Sequence, residues 1–379
     1  MTVLSSHRED GVGSSNASEG PPMRYVAMLA SVLLLMLTGV VMVLSASNPA
    51  LIGQDGDAFS KFARHATYVT AGVVLLLVLV GRDYRSWRRI APLLLGSAFL
   101  ALVLVLFVGR SSGGSRRWLD LGLFIFQPSE IAKLALVVSL ASFLDQRRYF
   151  LDRVDRITVP VALCLALLCG LVVRQPDVGT AAIIGSIALG MLWAAGLPFR
   201  HLAVLLTSGL LLGLFLTLAS PYRRGRVIGF FSASENSEGW GWQADQSLIS
   251  LANGGFRGTG LSAGHAQWGW VPEAHTDFVF AVVGEQLGFI GSLAVVILLG
   301  GIILAGFRTA QIAPDVFGSL LAAGISVWFL LQVVVHVGGV LRLLPITGVS
   351  LPFISYGGTA LIVNAAAAGL LLNIARQSR

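Results

Sequence analysis

Ten stretches of this chain stay apolar for roughly the 20 residues that a helix needs to cross the hydrocarbon core of a bilayer. They fall at about 24–46, 64–81, 90–109, 128–145, 157–173, 178–196, 200–219, 278–307, 315–341 and 352–375. Such a pattern leaves few folds open. In lipid, every backbone N–H and C=O must find its partner inside the protein, and a helix satisfies them within one segment. The expected fold class is therefore all-α, a polytopic integral membrane protein of about ten transmembrane helices. Composition agrees, because only 12% of residues are charged and 55% are apolar, against roughly 25% charged in a soluble domain. Residues 1–23 are polar and rich in Ser and Gly, and read as a disordered tail. Residues 24–379 read as one transmembrane domain. Only Arg174 to Asp177 separate the fifth and sixth runs, which is the spacing of a tight hairpin.

An even number of spans puts both termini on one side. Two arginine clusters, Arg82 to Arg89 and Arg147 to Arg156, fall on that side, and the positive-inside bias makes it cytoplasmic. The opposite side is basic as well. Lys61, Arg64, Arg116, Arg117, Arg223, Arg226 and Arg342 all fall there, against the bias. An anionic ligand held at the outer face is the simplest compensation, since the guanidinium fork suits phosphate. Local ion pairs, or snorkelling at the headgroups, are the alternative. The net charge of +7 does not point to nucleic acid, because no basic stripe interleaved with aromatics stands clear of the spans. Cys164 and Cys169 share one apolar run, which argues against a disulfide framework or a metal site.

The longest polar interval, about 220–277, is expected to form a large outer loop between the seventh and eighth spans. Its glycines, among them Gly254, Gly258, Gly260 and Gly264, suit a re-entrant or substrate-covering loop. It closes on Glu273, His275 and Asp277, directly before an apolar run. Ionisable groups at such a boundary are costly and often functional, although Thr276 and Asp277 also suit a helix N-cap. Glu130 and Lys133 are three residues apart near the outer end of the fourth span, where they can meet as an ion pair. Asp177, before Thr180, reads as an N-cap. Glu285 lies two turns into the eighth span, where a charge needs a partner. Ser355 belongs to a Pro- and Gly-punctuated opening of the last span, Leu351 to Thr359.

Taken in this order, several stretches resemble the SEDS family (shape, elongation, division and sporulation), whose members include FtsW and RodA. The matching pieces are Gly113–Leu119, Gln127–Lys133, Gln175–Thr180, Tyr222–Arg226, Gly254–Gly260, Pro272–Phe280 with Gly284-Glu285, and Pro345–Thr359. Pro272 to His275 looks more like FtsW than RodA. The resemblance implies a peptidoglycan glycosyltransferase that polymerises lipid II, the undecaprenyl-pyrophosphate disaccharide-pentapeptide, outside the bacterial cytoplasmic membrane. It implies cytoplasmic termini, a class B penicillin-binding protein transpeptidase as partner, and other divisome or elongasome membrane proteins nearby. The family's essential acid falls on Asp277, which would act as base on the acceptor hydroxyl in an inverting displacement. Arg116, Arg117, Glu130, Lys133, Arg223, Arg226, His275, Glu285 and Ser355 are the candidates for substrate binding. A divalent cation, Mg or Mn, would neutralise pyrophosphate, although the sequence carries no metal-ligand motif. Two departures from the family pattern stand out: Gln286 where many members have Glu, and His336 where Asn is usual. A flippase for a lipid-linked precursor is the competing reading, and a scaffold that recruits the transpeptidase is the third.

Overall fold

A computed structural model describes residues 22–47, 58–112, 115–120, 122, 125–220, 224–225, 230, 240–264 and 275–378. Residues 1–21 of the tail expected at 1–23, together with Arg223, Arg226 and Glu273, lie outside them, while Met23 already belongs to the first helix. All ten apolar runs contain a helix. These are α1 (Met23–Ser47), α2 (Ala58–Gly81), α3 (Trp87–Val108), α4 (Pro128–Gln146), α5 (Val159–Arg174), α6 (Val178–Ala194) and α7 (Phe199–Leu218). After α8 (Trp240–Gly254) in the polar interval come α9 (Val279–Ile312), α10 (Val316–Val340) and α11 (Gly358–Gln377). Eight of the ten are long and apolar enough to cross a membrane. The other two differ for simple reasons. Helix α4 carries Glu130, Lys133 and Asp145. Helix α6 has 17 residues, about 26 Å at 1.5 Å per residue.

Contacts between turns sort the bundle into two ends. At the terminal end, Arg24 donates to the Ser378 carbonyl, and the Tyr84 N–H donates to Asn373 Oδ1 at 3.1 Å. The Arg85 guanidinium meets Asp315 there at 3.0 Å. At the far end, the Tyr356 N–H donates to the His275 carbonyl, and Arg342 meets Asp245 at 2.5 Å. Helix α11 is the most enclosed. Its run of Ala365 to Ala368 is buried, and Gly369 packs against the backbone of α2 at Leu76, because small side chains let helices approach closely. Helix α7 is peripheral and leaves Leu210, Leu211, Leu214 and Phe215 exposed to its surroundings.

Three features were not expected. Between α3 and α4 runs a small antiparallel sheet: β1 (Arg110–Ser112), β2 (Ser115–Asp120) and β3 (Ile125–Phe126), in the order β1-β2-β3. It lies at the far end, where backbone need not be helical to be satisfied. The last helix begins at Gly358 rather than near 352. Pro345 and Pro352 donate no backbone hydrogen bond, and residues 341–357 run as irregular chain with Arg342 and Phe353 at φ 56° and 67°. Irregular backbone at this depth is tolerated because it is packed inside protein. Leu351 to Ser355 are buried, and the Ile354 carbonyl sits against α1 at Gly39.

The third feature is a break in α9 at Gly288, which has φ 69° and ψ −166°. That conformation is open to glycine and strained for any other residue. The break withdraws the next turn from the carbonyls of Glu285 and Gln286. The Gly-rich loop after α8 satisfies them: the Thr259 N–H donates to Glu285 at 2.9 Å, and the Gly260 N–H to Gln286 at 3.1 Å. A Cβ on Gly258 would fall 2.1 Å from the Gln286 carbonyl, so only glycine lets the two backbones approach.

Candidate active site

Asp277 stands in the turn 275–278 that leads into α9, half-buried. The N-cap position of α9 is Phe278, so neither Thr276 nor Asp277 occupies it. The carboxylate has been placed one residue outside the helix rather than used to start it. A small cleft opens there, between Asp277 and Phe278 on one side, His336 and Gly339 of α10 on another, and Ile346 to Val349 on the third. Gly348 has φ 74°, and a Cβ on it would lie 3.5 Å from Asp277 Oδ2.

The irregular segment 341–357 holds this turn in place. Ser355 Oγ donates to the Thr276 carbonyl at 2.9 Å and accepts from the Leu351 N–H at 2.8 Å. The Tyr356 N–H donates to the His275 carbonyl at 2.9 Å. The Tyr356 ring lies between two imidazoles, 5.5 Å from His275 and 5.6 Å from His65. His336 Nδ1 meets the Val349 carbonyl at 2.8 Å, tying the segment back to α10.

Glu130 and Lys133 do meet. Lys133 Nζ lies 2.9 Å from Glu130 Oε2, and the side chains are 1% and 7% exposed. The ammonium also sits 5.2 Å from the centroid of the Trp328 ring. The contact is ionic rather than a well-aligned hydrogen bond. Glu285 is fully buried, and Gly264 of the loop packs against its carboxylate: a Cβ there would fall 2.7 Å from Oε2.

The two described candidate arginines part ways. Arg116 is exposed on β2. Arg117 points to the α5–α6 turn, where Nε donates to the Gln175 carbonyl at 3.1 Å and Nη2 to the Pro176 carbonyl at 2.5 Å. Its Nη1 is 3.9 Å from Asp177. That guanidinium ties the sheet to the turn and has fewer N–H groups left for an anion than Arg116. Asp177 caps α6 as expected, accepting from the Thr180 N–H at 3.1 Å and from its hydroxyl at 2.9 Å. The capped turn abuts the Asp277 cleft, since Gly179 packs directly on Thr347.

A bound cation would need ligands. Among the described residues, no three His, Cys, Asp or Glu side chains come together as a metal cage.

Known proteins carry the same plan. The family model described as "Cell cycle protein", covering FtsW, RodA and SpoVE, matches residues 25–379. This chain belongs to the FtsW/RodA/SpoVE family. Stage V sporulation protein E of Bacillus subtilis is 37% identical over 356 residues, which cover 93% of this chain and 97% of that protein. The probable peptidoglycan glycosyltransferase FtsW of Geobacter metallireducens is 38% identical over 343 residues, with 90% and 92% covered. Among solved structures, a chain of a peptidoglycan synthase complex that coordinates polymerization and crosslinking superposes with a TM-score of 0.76 at 30% identity. That match covers 94% of this chain and 98% of the other. RodA of Thermus thermophilus superposes at 0.67 with 29% identity, covering 93% and 96%.

The two departures from the family pattern have local explanations. Gln286 Oε1 accepts from Ser45 Oγ at 2.8 Å, joining α9 to α1, and the same hydroxyl accepts from the Ser262 N–H at 2.9 Å. A neutral amide serves there without an added charge. His336 supplies a ring nitrogen to a carbonyl, a contact that the amide of Asn also makes. Sequence reasoning missed His65, Tyr356 and Gly348. Pro345, Gly348, Pro352 and Gly357-Gly358 were the available signal, because such punctuation marks chain that leaves the helix.

Proposed function

We propose that this chain is a peptidoglycan glycosyltransferase that polymerises lipid II at the far end of the bundle, with Asp277 as base. The observation that carries the reading is the placement of Asp277: a half-exposed carboxylate beside the α9 N-cap, facing a cleft, in a member of this family. Asp277 would take the proton from the acceptor hydroxyl as that oxygen attacks the donor sugar opposite its pyrophosphate, giving inversion. Exposed Arg116 is suited to the departing pyrophosphate, together with Arg223 and Arg226. Basic clusters such as Arg88, Arg89, Arg147 and Arg148 put the terminal end in the cytoplasm by the positive-inside rule, so the far end faces outward from the cytoplasmic membrane. A crosslinking penicillin-binding protein is the partner expected from the synthase complex that this fold matches.

The test is polymerisation of purified lipid II by the purified chain in detergent, alone and with a candidate transpeptidase. Glycan polymer on gels is expected from the wild type and not from Asp277→Asn. Detergent removes the two compartments, so polymer formation there excludes an activity limited to flipping. No polymer from a folded wild type under either condition would overturn the proposal.

A further inference from the structure

A second, roomier cavity lies away from Asp277, at the terminal end. It is a groove of about 320 Å³ between α3 and α5, floored by α4. Pro92 and Leu95 form one wall, Pro160 and Leu165 the other, and Leu140 and Phe143 the floor. Leu93, Leu163 and Leu167 beside it are more than half exposed, so the groove opens sideways into hydrocarbon. Gln146 and Arg147 close one end of it. Its lining is apolar along its length and cationic at its mouth.

Arg147 lines the groove, and Arg156 precedes its wall residue Pro160 by four positions in the chain. The Arg147 guanidinium lies 4.3 Å from the centroid of Phe143, itself a groove residue, and the Arg156 guanidinium lies 4.3 Å from that of Phe150. Neither makes an ion pair with a carboxylate of the described residues, whereas neighbouring Arg88 meets Asp145 at 2.9 Å. Three successive turns connect them: Phe150 N–H to the Arg147 carbonyl, Arg153 to Phe150, and Arg156 to Arg153. A guanidinium stacked on a ring presents its N–H edge outward, in the fork that matches phosphate oxygens. Basic pockets between transmembrane helices bind anionic lipid headgroups for this reason.

We propose that this groove binds one anionic membrane phospholipid, with an acyl chain between α3 and α5 and the phosphate at Arg147 and Arg156. The site is separate from the Asp277 cleft and stands whether or not that cleft polymerises lipid II. Zwitterionic lipid filling the gap without headgroup selection is the competing outcome.

The experiment is native mass spectrometry of the delipidated full chain with phosphatidylglycerol or phosphatidylethanolamine added, alongside thermal melting. The wild type is expected to retain one phosphatidylglycerol about 10-fold more tightly than phosphatidylethanolamine, the ratio for one added charged contact of about 1.4 kcal/mol. The melting shift from phosphatidylglycerol should shrink severalfold between low and 1 M salt, because screening weakens headgroup contacts. Arg147→Gln with Arg156→Gln should bring the ratio to about one. Cys164→Trp, which fills the groove, should remove the tightly held lipid of either kind. Equal retention of both lipids by the wild type overturns the proposal, as does a preference that survives the double substitution or tight binding that survives Cys164→Trp. Should the double variant melt early, the salt series on the wild type decides alone, and a salt-independent shift overturns the proposal.

Discussion

Glu130 and Asp277 both belong to the far end of the bundle, and their surroundings are opposite. Glu130 is buried and fixed by Lys133 at 2.9 Å, with Trp328 against the ammonium. Asp277 is half-buried beside a cleft, held in place through the backbone of its turn by Ser355 and Tyr356. A buried pair has given up water and depends on its partner, so it serves structure first. A carboxylate that keeps contact with a cleft can exchange a proton with a ligand. Exposure and anchoring distinguish these two carboxylates better than residue type does.

The comparison breaks most visibly at the buried pair. Lys133→Met should strand the Glu130 carboxylate and cost about 3–5 kcal/mol of stability, read as early melting in detergent. The exchange of Glu130→Lys with Lys133→Glu should recover part of that loss. An exchanged protein no better than the single variants would mean that the pair does not hold the fold.

Asp277→Asn is the opposite case. Melting should stay at the wild-type value, while polymerisation falls about 100-fold or more, equivalent to about 2.7 kcal/mol in the barrier. Near wild-type turnover would remove Asp277 from the chemistry.

The two arginines of β2 sharpen the contrast on a smaller scale. Arg117→Lys loses the fork shared between the Gln175 and Pro176 carbonyls and should cost about 1–3 kcal/mol of stability, with KM for lipid II unchanged. Arg116→Lys should leave melting unchanged and raise KM several-fold. The same KM effect from both would return Arg117 to the anion site.

Gly348→Ala should cost about 1–2 kcal/mol, because a Cβ is disfavoured at φ 74°. Its Cβ would also stand next to Asp277 Oδ2, so kcat should drop with melting only slightly lowered.

The smallest effect is expected at the terminal end. Burial raises the Asp315 carboxyl, but hydrogen bonds from Tyr84, the Gly318 N–H and Arg85 outweigh it and leave the group below its ordinary 3.8. A carboxyl depressed in the folded state stabilises above its unfolded value and loses that contribution as pH falls through the folded one. Melting between pH 5 and pH 3 should therefore fall slightly more for the wild type than for Asp315→Asn. The group is about one-third exposed, so the difference should be less than about 1 kcal/mol.

Much of this was legible in the amino-acid order. Each of the ten apolar runs holds a helix, eight of them long and apolar enough to span, because lipid punishes an unpaired backbone wherever it occurs and the penalty is local. The spacing of Glu130 and Lys133 foretold their contact, since three residues on a helix bring side chains to one face. Asp177 was readable as a cap for the same local reason. The boundary position of Asp277 left a base and a helix cap both open, and Phe278 as the N-cap became visible only in three dimensions. So did the start of α11 at Gly358, the break at Gly288, the division of labour between Arg116 and Arg117, and the meeting of His65, His275 and Tyr356. Each depends on residues far apart in the chain competing for one carbonyl or one gap. Local patterns decide which segments become helices; only packing decides which loop carbonyl a guanidinium finds and which carboxylate is left beside open space.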